Sequence, residues 1–292
     1  MMTLARRTAW FTARALRRVA RGLDRAADTQ TLTIQRGMAA HDMVGDPDEH
    51  FYGEIYWQWL RQELSRIAPN GRALEIGCGQ GRFTVPLARA LHAGRVVAVD
   101  ITPAAIDAMK AKAAAENLTN IDCHTGDAET FLAEFESESF DLVLMIEVSF
   151  FMPRFREVIG AASRLLRRGG LLFASFRSQH YNLLRSVHEK DWRSARLVVE
   201  AREGEWGGTS MWFTWQTPED IRQLLTGAGL VLGGPLRGIG ICSGIEGDPL
   251  AGVARPSTLS DDDRRQLMEV EISVAEKYAA CARYIVAVAV KQ

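Results

Sequence analysis

A short apolar run closed by three alternating glycines constrains this chain more than any other stretch. Residues 73–76 are apolar apart from Glu75 and show no helical period, and Gly77, Gly79 and Gly81 follow, which is the pattern of a buried strand entering a tight turn. Apolar residues then recur at helical spacing over residues 83–91. Because glycine lacks a Cβ, such a turn can bring the main chain against a ligand. Strand, bare turn and helix predict a nucleotide-binding corner of an α/β sheet, with free amides at the helix start.

The spacing of these glycines indicates which kind of nucleotide is bound. A dinucleotide fingerprint, G-x-G-x-x-G, needs a third glycine where this chain has Arg82. Glu75 stands just before the turn, where its charge would repel a pyrophosphate and suit a cationic ligand. The resulting pattern, E-x-G-x-G-x-G, resembles the first motif of the class I S-adenosyl-L-methionine-dependent methyltransferases. This resemblance implies that the cofactor is bound by the following residues: Glu75, Gly77, Cys78, Gly79 and Gly81.

Two acids further along the chain fit the same family. Residues 95–100 form a second apolar run that ends in Asp100, at about the 20-residue offset expected for a ribose-binding acid. A carboxylate there can accept hydrogen bonds from both ribose hydroxyls, and Ile101 follows it. After a third short strand, Gly126-Asp127-Ala128 resembles the next family motif. The resemblance implies that Asp127 accepts from the adenine amino group and that the Ala128 amide contacts the ring.

The fourth predicted strand, residues 140–148, matches the family only in part. Glu147 and Val148 fit the pattern, and the resemblance makes Glu147 a cofactor ligand and a catalytic candidate. Phe150 and Phe151 stand where the family often has glutamate and histidine, so a general base at that histidine position cannot operate here. The two aromatics predict either an apolar wall near the methyl group or packing under the next helix, and both interpretations stay open.

Other candidate residues lie before and after this core. A helical pattern from Phe51 to Ile67 precedes the glycine turn, and family members often cover the cofactor with this segment, which makes Tyr52 and Tyr56 candidates for substrate contact or for core packing. An insertion over residues 177–216 is predicted to line the acceptor pocket. It offers two possible bases, which could equally be surface histidines, and two aromatic contacts: His180, His188, Tyr181 and Trp192.

The order of elements predicts the fold class and the domain division. We expect an α/β fold with a doubly wound, seven-stranded, mostly parallel sheet, an antiparallel last strand and helices on both faces. Residues 1–69 are predicted to be a helical extension that covers the cofactor or substrate. Residues 70–292 are predicted to be the methyltransferase domain, with lid insertions at about 177–216 and 237–280.

Composition limits the partners. Lys plus Arg number 35 against 36 Asp plus Glu, which gives no electrostatic case for nucleic acid. The four cysteines are scattered and no ligand spacing suggests a metal, so a reducing cytoplasm is expected. Residues 1–27 alternate arginines with apolar side chains and predict a basic amphipathic helix. It packs on its own domain or on a second copy of the chain, or residues 4–25 contact a membrane or another anionic surface.

These observations predict a function. The chain is expected to transfer a methyl group from S-adenosyl-L-methionine to a small-molecule acceptor, on oxygen or nitrogen, by in-line displacement. A first alternative is methylation of a lipid-linked or anionic glycan at a membrane surface. Others are a nicotinamide-dependent oxidoreductase, which Arg82 disfavours, and a binding module that has lost its chemistry.

Overall fold

The computed structural model describes residues 30–37, 42–205 and 211–292. The predicted basic helix over residues 1–27 lies outside them. Residues 30–37 are helical. The first complete helix begins at Pro47, because the Asp46 side chain accepts hydrogen bonds from two amides of the first turn and proline needs none there.

The strands alternate with helices through the first half of the chain. The strands are β1 (Arg72–Ile76), β2 (Arg95–Asp100), β3 (Ile121–Thr125), β4 (Phe140–Met145), β5 (Leu166–Arg177), β6 (Glu203–Glu205), β7 (Trp212–Thr214), β8 (Leu230–Leu232), β9 (Arg237–Ile239) and β10 (Tyr284–Lys291). The helices are α1 (Pro47–Leu64), α2 (Thr84–Ala90), α3 (Pro103–Ala115), α4 (Ala128–Leu132), α5 (Phe155–Leu165), α6 (Gln179–His188), α7 (Trp192–Glu200), α8 (Pro218–Gly227) and α9 (Asp261–Val274).

The main sheet has the order β3-β2-β1-β4-β5-β10-β8, with β9 also paired to β10. Strands β1 to β5 are parallel, and β10 runs antiparallel to β5, β8 and β9. The predicted doubly wound sheet with an antiparallel last strand is confirmed. The predicted count of seven strands is wrong, because the glycine-rich stretch after residue 236 contributes β9 as an eighth. The strand order reverses between β1 and β4, where open α/β sheets form their ligand crevice.

Alternate residues of each central strand face opposite layers of helices. Leu74 in β1 packs in a cluster with side chains of α4, α5 and α8, whereas its neighbour Ala73 packs with side chains of α1 and α2. This pleat places helices on both faces of the sheet, as predicted. Among the described helices, none combines the length and the apolar character that a bilayer crossing requires.

Helix α5 ends earlier than a local sequence signal would place its end. It ends at Leu165, before the cations and glycines of residues 167–170, a combination that is typical of a helix end. The chain joins the sheet earlier, since Leu166 already pairs with Phe140, and the register shifts before Leu171 pairs with Leu142. Gly169, with φ 77°, lies in this irregularity.

Candidate active site

The glycine loop after β1 has a backbone that only glycine adopts without strain. Gly77, Gly79 and Gly81 have φ of 73°, 51° and 85°. A Cβ added at Gly77 would lie 2.5 Å from Cγ2 of Val148, and one at Gly81 would lie 2.8 Å from Cγ of Met109. The loop is therefore held between the segment after β4 and helix α3.

The amides of the glycine loop are largely satisfied within the protein. The amides of Gly77 and Cys78 both donate to the Val99 carbonyl, at 2.8 and 3.2 Å, and the Gly81 amide donates to the Cys78 carbonyl. The Cys78 side chain is buried among apolar residues of β2 and α3. This part of the loop therefore offers a ligand its bare main-chain surface rather than a thiol or a set of unpaired amides.

Asp100 fixes the loop from the neighbouring strand. At the end of β2, its Oδ2 accepts from the Gly79 amide at 2.8 Å and its Oδ1 accepts from the Thr102 amide at 2.8 Å. Each carboxylate oxygen can accept a second hydrogen bond, so capacity for hydroxyl donors remains. Asp100 thus combines loop support with the position predicted for ribose recognition.

Glu75 lies under the loop and is buried. Its Oε2 accepts a hydrogen bond from the Thr84 hydroxyl at 2.6 Å, which joins β1 to the start of α2. Burial raises the pKa of Glu75 to about 8, against the opposing effects of the Thr84 hydrogen bond and the Arg82 charge. A cation bound beside this carboxyl would favour its ionised form, so the site is suited to a positively charged ligand.

The substitution Glu75→Gln tests this account through stability. The folded protein keeps the proton up to about pH 8, while the unfolded chain loses it around 4.5. The wild type therefore loses folding free energy as pH rises through this window, by at most about 1.4 kcal/mol per pH unit. Glutamine cannot ionise and still accepts from Thr84. We expect the variant to gain stability over the wild type from about pH 5 to about pH 8 in urea denaturation. A difference that stays constant across this range would contradict the raised pKa.

The other predicted cofactor residues lie along the same sheet edge. The Gly126 amide donates to the Asp100 carbonyl at 3.0 Å, which brings the Asp127 turn beside the end of β2. The Asp127 side chain is exposed and accepts from the Thr130 amide at the start of α4, while Ala128 is buried. Their roles toward adenine stay predictions.

Arg82 connects α1 to the segment after β4. Its Nη1 lies 3.0 Å from Glu49 Oε2, and its Nη2 lies 3.3 Å from Glu147 Oε2; the side chains of Arg82, Glu49 and Glu147 are 13%, 3% and 7% exposed. Glu147 reaches this position with φ 54°, and its amide donates to the Ser175 hydroxyl at 2.7 Å. The Glu147 carboxylate is therefore engaged in an ion pair with Arg82.

An aromatic cluster follows Glu147. The Phe150 ring lies 4.0 Å from Phe151 and 5.7 Å from Tyr284, and both phenylalanines contact Phe213 of β7. Val148, which touches the position of Gly77, directly precedes this cluster. The two phenylalanines therefore pack against β7 of the insertion, and the apolar wall near the methyl group stays a prediction.

The predicted substrate tyrosines are buried beside this cluster. The Tyr52 hydroxyl donates to Ser243 at 3.0 Å, the Tyr181 hydroxyl donates to Asp248 at 2.6 Å, and Tyr56 packs edge-on against Phe83. Burial raises the pKa of all three phenols. Neutral tyrosines can orient an acceptor but are poor proton acceptors near neutral pH.

The predicted bases and Trp192 lie elsewhere. His180 and His188 are exposed on α6, and among the described residues no hydrogen bond or ring contact links either to the aromatic cluster. Trp192 is 56% exposed in an open apolar groove between α6 and α7, together with Leu183 and Val199. The described ranges also contain no cluster of three or more side chains able to hold a metal ion.

Sequence reasoning missed several residues that the fold brings to this edge. They are charged or amide side chains that lie at strand ends, in the segment before the sheet or, for Asp248, in the loop after β9: Gln30, Gln35, Glu49, Arg177, Asp248 and Arg283. Arg177 and Arg283 could have been noticed as cations at the ends of otherwise apolar strands, both of which reach the carboxyl edge of the parallel strands. The glutamines carry no such signal.

Helical residues 30–37 lie across this edge. Gln30 Nε2 donates to the carbonyls of Phe151 and Trp212, at 2.8 and 3.0 Å, and its Oε1 accepts from the Trp212 amide. Gln35 Nε2 donates to the Ile101 carbonyl at 2.7 Å. One short helix therefore connects the end of β2 with the aromatic cluster.

Comparison with known proteins identifies a domain within the chain. The family described as "Methyltransferase domain" matches residues 73–170, which contain the glycine loop, Asp100, Asp127 and Glu147. Residues 73–170 therefore match a methyltransferase domain of the S-adenosyl-L-methionine-dependent kind that the sequence resembles. The predicted resemblance is confirmed for this domain, and the sheet order agrees with it.

Similar proteins share the domain rather than the whole length. The chain is 38% identical over 101 residues to phthiotriol/phenolphthiotriol dimycocerosates methyltransferase 1 of Mycobacterium ulcerans, covering 35% of each chain. It is 28% identical over 138 residues to a malonyl-[acyl-carrier protein] O-methyltransferase of Paenibacillus sp., covering 47% of this chain and 50% of that one. The chain thus spans half or less of these relatives.

A solved structure extends the likeness in fold beyond the matched domain. Magnesium protoporphyrin IX methyltransferase from Synechocystis, determined with bound S-adenosylhomocysteine, aligns over 90% of this chain and 95% of that chain with a TM-score of 0.56. The identity is 15%, so this likeness concerns the fold. It shows that the elements on both sides of residues 73–170 belong to the same fold.

Proposed function

We propose that this protein transfers a methyl group from S-adenosyl-L-methionine to a small-molecule acceptor by in-line displacement. The observation that carries the proposal is the contact between Asp100 and the glycine loop, directly above the buried Glu75. Asp100 at the strand end matches the ribose, and the glycine loop without side chains matches the adenosyl group. Glu75, the second acid, matches the cationic end of this cofactor.

The residues present fit the cofactor. Gly77 and Gly81 have no room for a Cβ, which would collide with Val148 or Met109, so the main chain of the loop is bare and a ligand can approach it closely. Asp100 retains the capacity to accept hydrogen bonds from hydroxyls. When bound, S-adenosyl-L-methionine supplies a methyl group activated by a positively charged sulfur. We assign ribose binding to Asp100, the cationic portion to Glu75 and the adenine to the turn at Asp127.

The protein's contribution to the reaction is positioning and exclusion of water. An attacking atom must be held about 3 Å away and in line, which can supply a large part of the rate without proton transfer. The aromatic cluster at Phe150 forms a dry wall next to the loop. The ion pair between Arg82 and Glu147 fixes the segment that carries this wall.

We propose a small molecule as the acceptor, and this class includes lipids. The names of the relatives specify a dimycocerosate lipid in one case and an acyl-carrier-linked malonyl group in the other. The buried polar and aromatic side chains beside the loop favour a compact acceptor with at least one polar group. Methylation at a membrane surface through residues 4–25 and pairing of two copies are secondary proposals.

We also propose that residues 30–37 cover the cofactor, as part of the predicted 1–69 extension. The Gln35→Ala substitution removes the hydrogen bond to the Ile101 carbonyl and frees one end of this helix. A single neutral hydrogen bond contributes about 0.5–1.5 kcal/mol, so cofactor dissociation should accelerate by roughly threefold to tenfold. Stopped-flow displacement measures this rate.

Gln223→Ala, which breaks an exposed hydrogen bond with Glu219 on α8, is the control and should not change the rate of cofactor dissociation. Equal rates in both variants would count against the cover.

The experiment that tests the function measures binding and turnover separately. Calorimetry with S-adenosyl-L-methionine, S-adenosylhomocysteine and NADPH should show heat with the first two and none with the third. Protein incubated with the labelled methyl donor and a panel of candidate acceptors should then form S-adenosylhomocysteine. NADPH binding without binding of the methyl donor would favour the reductase, and donor binding without turnover on any acceptor would favour the inactive binding module.

A further inference from the structure

A buried arginine without a carboxylate partner lies beside the aromatic cluster. Arg177 is the last residue of β5 and is 7% exposed. Its Nη1 is fully buried and has no hydrogen-bond partner among the described residues. A charge removed from water is costly unless a partner compensates it. We propose that this guanidinium binds a carboxylate of the acceptor, an inference that rests on the proposed methyl transfer.

Aromatic rings hold the Arg177 cation without using its hydrogen-bond donors. Cζ of Arg177 lies 4.2 Å from the ring centre of Tyr284, 4.5 Å from that of Phe150 and 4.9 Å from that of Tyr181. Cation–π contacts with three rings stabilise the charge and fix its position. Nη1 stays without a hydrogen-bond partner among the described residues, so its N–H groups can donate to an anion.

The two other arginines buried at this edge already have acidic partners. Arg82 lies within 3.3 Å of both Glu49 and Glu147. Arg283 Nη2 lies 3.6 Å from Glu49, and its Nε lies 3.8 Å from Asp248. These carboxylates are thereby engaged with other cations.

Asp248 contacts Tyr181, as Arg177 does, and both of its carboxylate oxygens already accept hydrogen bonds. Oδ2 accepts the Tyr181 hydroxyl at 2.6 Å, and Oδ1 accepts the Leu250 amide at 2.8 Å. Among the described residues, no carboxylate lies within ion-pair distance of Arg177, so an external anion would complete its pairing.

The position of Arg177 assigns the anion to the acceptor rather than to the cofactor. Val148 contacts the glycine loop, and Phe150, two residues further on, packs against the guanidinium. Arg177 therefore lies beyond the loop, on the side away from Asp100. Flat aromatic walls and a planar guanidinium suit a planar carboxylate, since the two groups match in geometry.

A carboxylate also agrees with the lack of an available base. Glu147 is ion-paired, the tyrosines of the cluster have raised pKa values because of burial, and the histidines of α6 are exposed. A carboxylic acid is already ionised near neutral pH, so its recognition requires no proton acceptor from the protein.

A matched pair of aromatic probes tests the inference on the full chain. We would titrate para-fluorophenylacetate and para-fluorophenylacetamide into the protein and follow binding by fluorine NMR, with and without S-adenosylhomocysteine. The wild type should bind the acid at least about tenfold more tightly than the amide. Arg177→Met should lower the affinity for the acid to that for the amide. Arg95→Met, which removes an exposed arginine paired with Asp122, should keep the wild-type preference.

Further measurements separate binding from folding and from the proposed function. Removing an unpaired buried charge should leave the Tm of Arg177→Met unchanged or raise it, whereas a purely structural cation would lower it. Arg177→Lys, which keeps the charge without the planar fork, should bind the acid with intermediate affinity. Equal affinity of the wild type for acid and amide, or no binding of either probe, would overturn the inference. The titration without cofactor reports on Arg177 even if calorimetry shows that the methyl donor does not bind.

Discussion

Replacing Gly77 with alanine is expected to lower the affinity for S-adenosyl-L-methionine by at least about a hundredfold. The φ of 73° costs a residue with a Cβ about 1–2 kcal/mol, and the added atom would lie 2.5 Å from Val148. The loop must therefore move from the position that Asp100 and the Val99 carbonyl hold. Calorimetry with the methyl donor measures the loss, and circular dichroism checks that the sheet remains folded.

Two further variants separate the causes of this loss. Gly160→Ala changes a glycine of α5 with nothing within 4 Å of the added Cβ, and it should leave affinity unchanged while slightly stabilising the helix. Gly77→Ala combined with Val148→Ala removes the collision but not the strain in φ. Partial recovery is expected. Full wild-type affinity in the single Gly77 variant would show that the loop surface does not contact the cofactor.

Asp100→Asn is expected to produce a loss of similar size for a different reason. The amide nitrogen that replaces one oxygen would face a backbone N–H, either that of Gly79 or that of Thr102, and could not accept from it. Hydrogen bonds to a charged group contribute about 1.5–3 kcal/mol each, so losing one to the loop and one to a ribose hydroxyl predicts a decrease of about a hundredfold or more. Affinity for S-adenosylhomocysteine, which has the same ribose, should fall in parallel.

A neighbouring aspartate provides the control for Asp100. Asp122 on β3 forms an exposed pair with Arg95, and Asp122→Asn should change cofactor affinity by less than about twofold. Thermal melts of both variants show whether folding is intact. If Asp100→Asn binds the donor as the wild type does, the assignment of this acid to the ribose is wrong, whatever its effect on stability.

The part of the candidate site that we propose binds the cofactor was predictable because its signals are local in sequence. A strand, a glycine turn and a helix occupy consecutive residues, and the acid at the next strand end follows at a nearly fixed offset. Glu75, Gly77 and Asp100 were therefore found without knowledge of the sheet. The sequence did not reveal that Asp100 also holds the loop amide of Gly79, because that contact depends on the side-chain rotamer.

The acceptor half was only partly predictable because it is assembled from distant segments. Arg177, Tyr181, Phe150 and Tyr284 come from three separate parts of the chain and meet only because β10 inserts beside β5. Tyr181 and Phe150 were selected as aromatics near expected loops. Arg177 was missed although it is a cation at the end of an otherwise apolar strand, because this signal alone does not show whether the cation is buried or solvated.

The number of strands and the end of helix α5 differ from what local sequence signals indicate, because pairing with a neighbouring strand overrode those signals. The glycines of residues 237–247 predicted a loop, but Arg237–Ile239 pairs with β10. The cations and glycines of residues 167–170 predicted a helix end, but Leu166 already pairs with Phe140. In both cases a neighbouring strand supplied hydrogen bonds that composition alone does not predict.

The insertion of β10 between β5 and β8 has a consequence for biosynthesis. A nascent polypeptide extending only to about residue 280 lacks the strand that joins these two, so β8 has no partner in the sheet. The residues from Glu75 to Asp127 that we propose bind the cofactor have all been translated once residue 127 is added, so this part of the site can begin to form on the ribosome. The aromatic rings around Arg177 include Tyr284, so that part of the site can form only after residue 284 is translated. Long-range pairing of this kind is slow compared with local contacts. The two halves of the site should therefore mature at different times during translation.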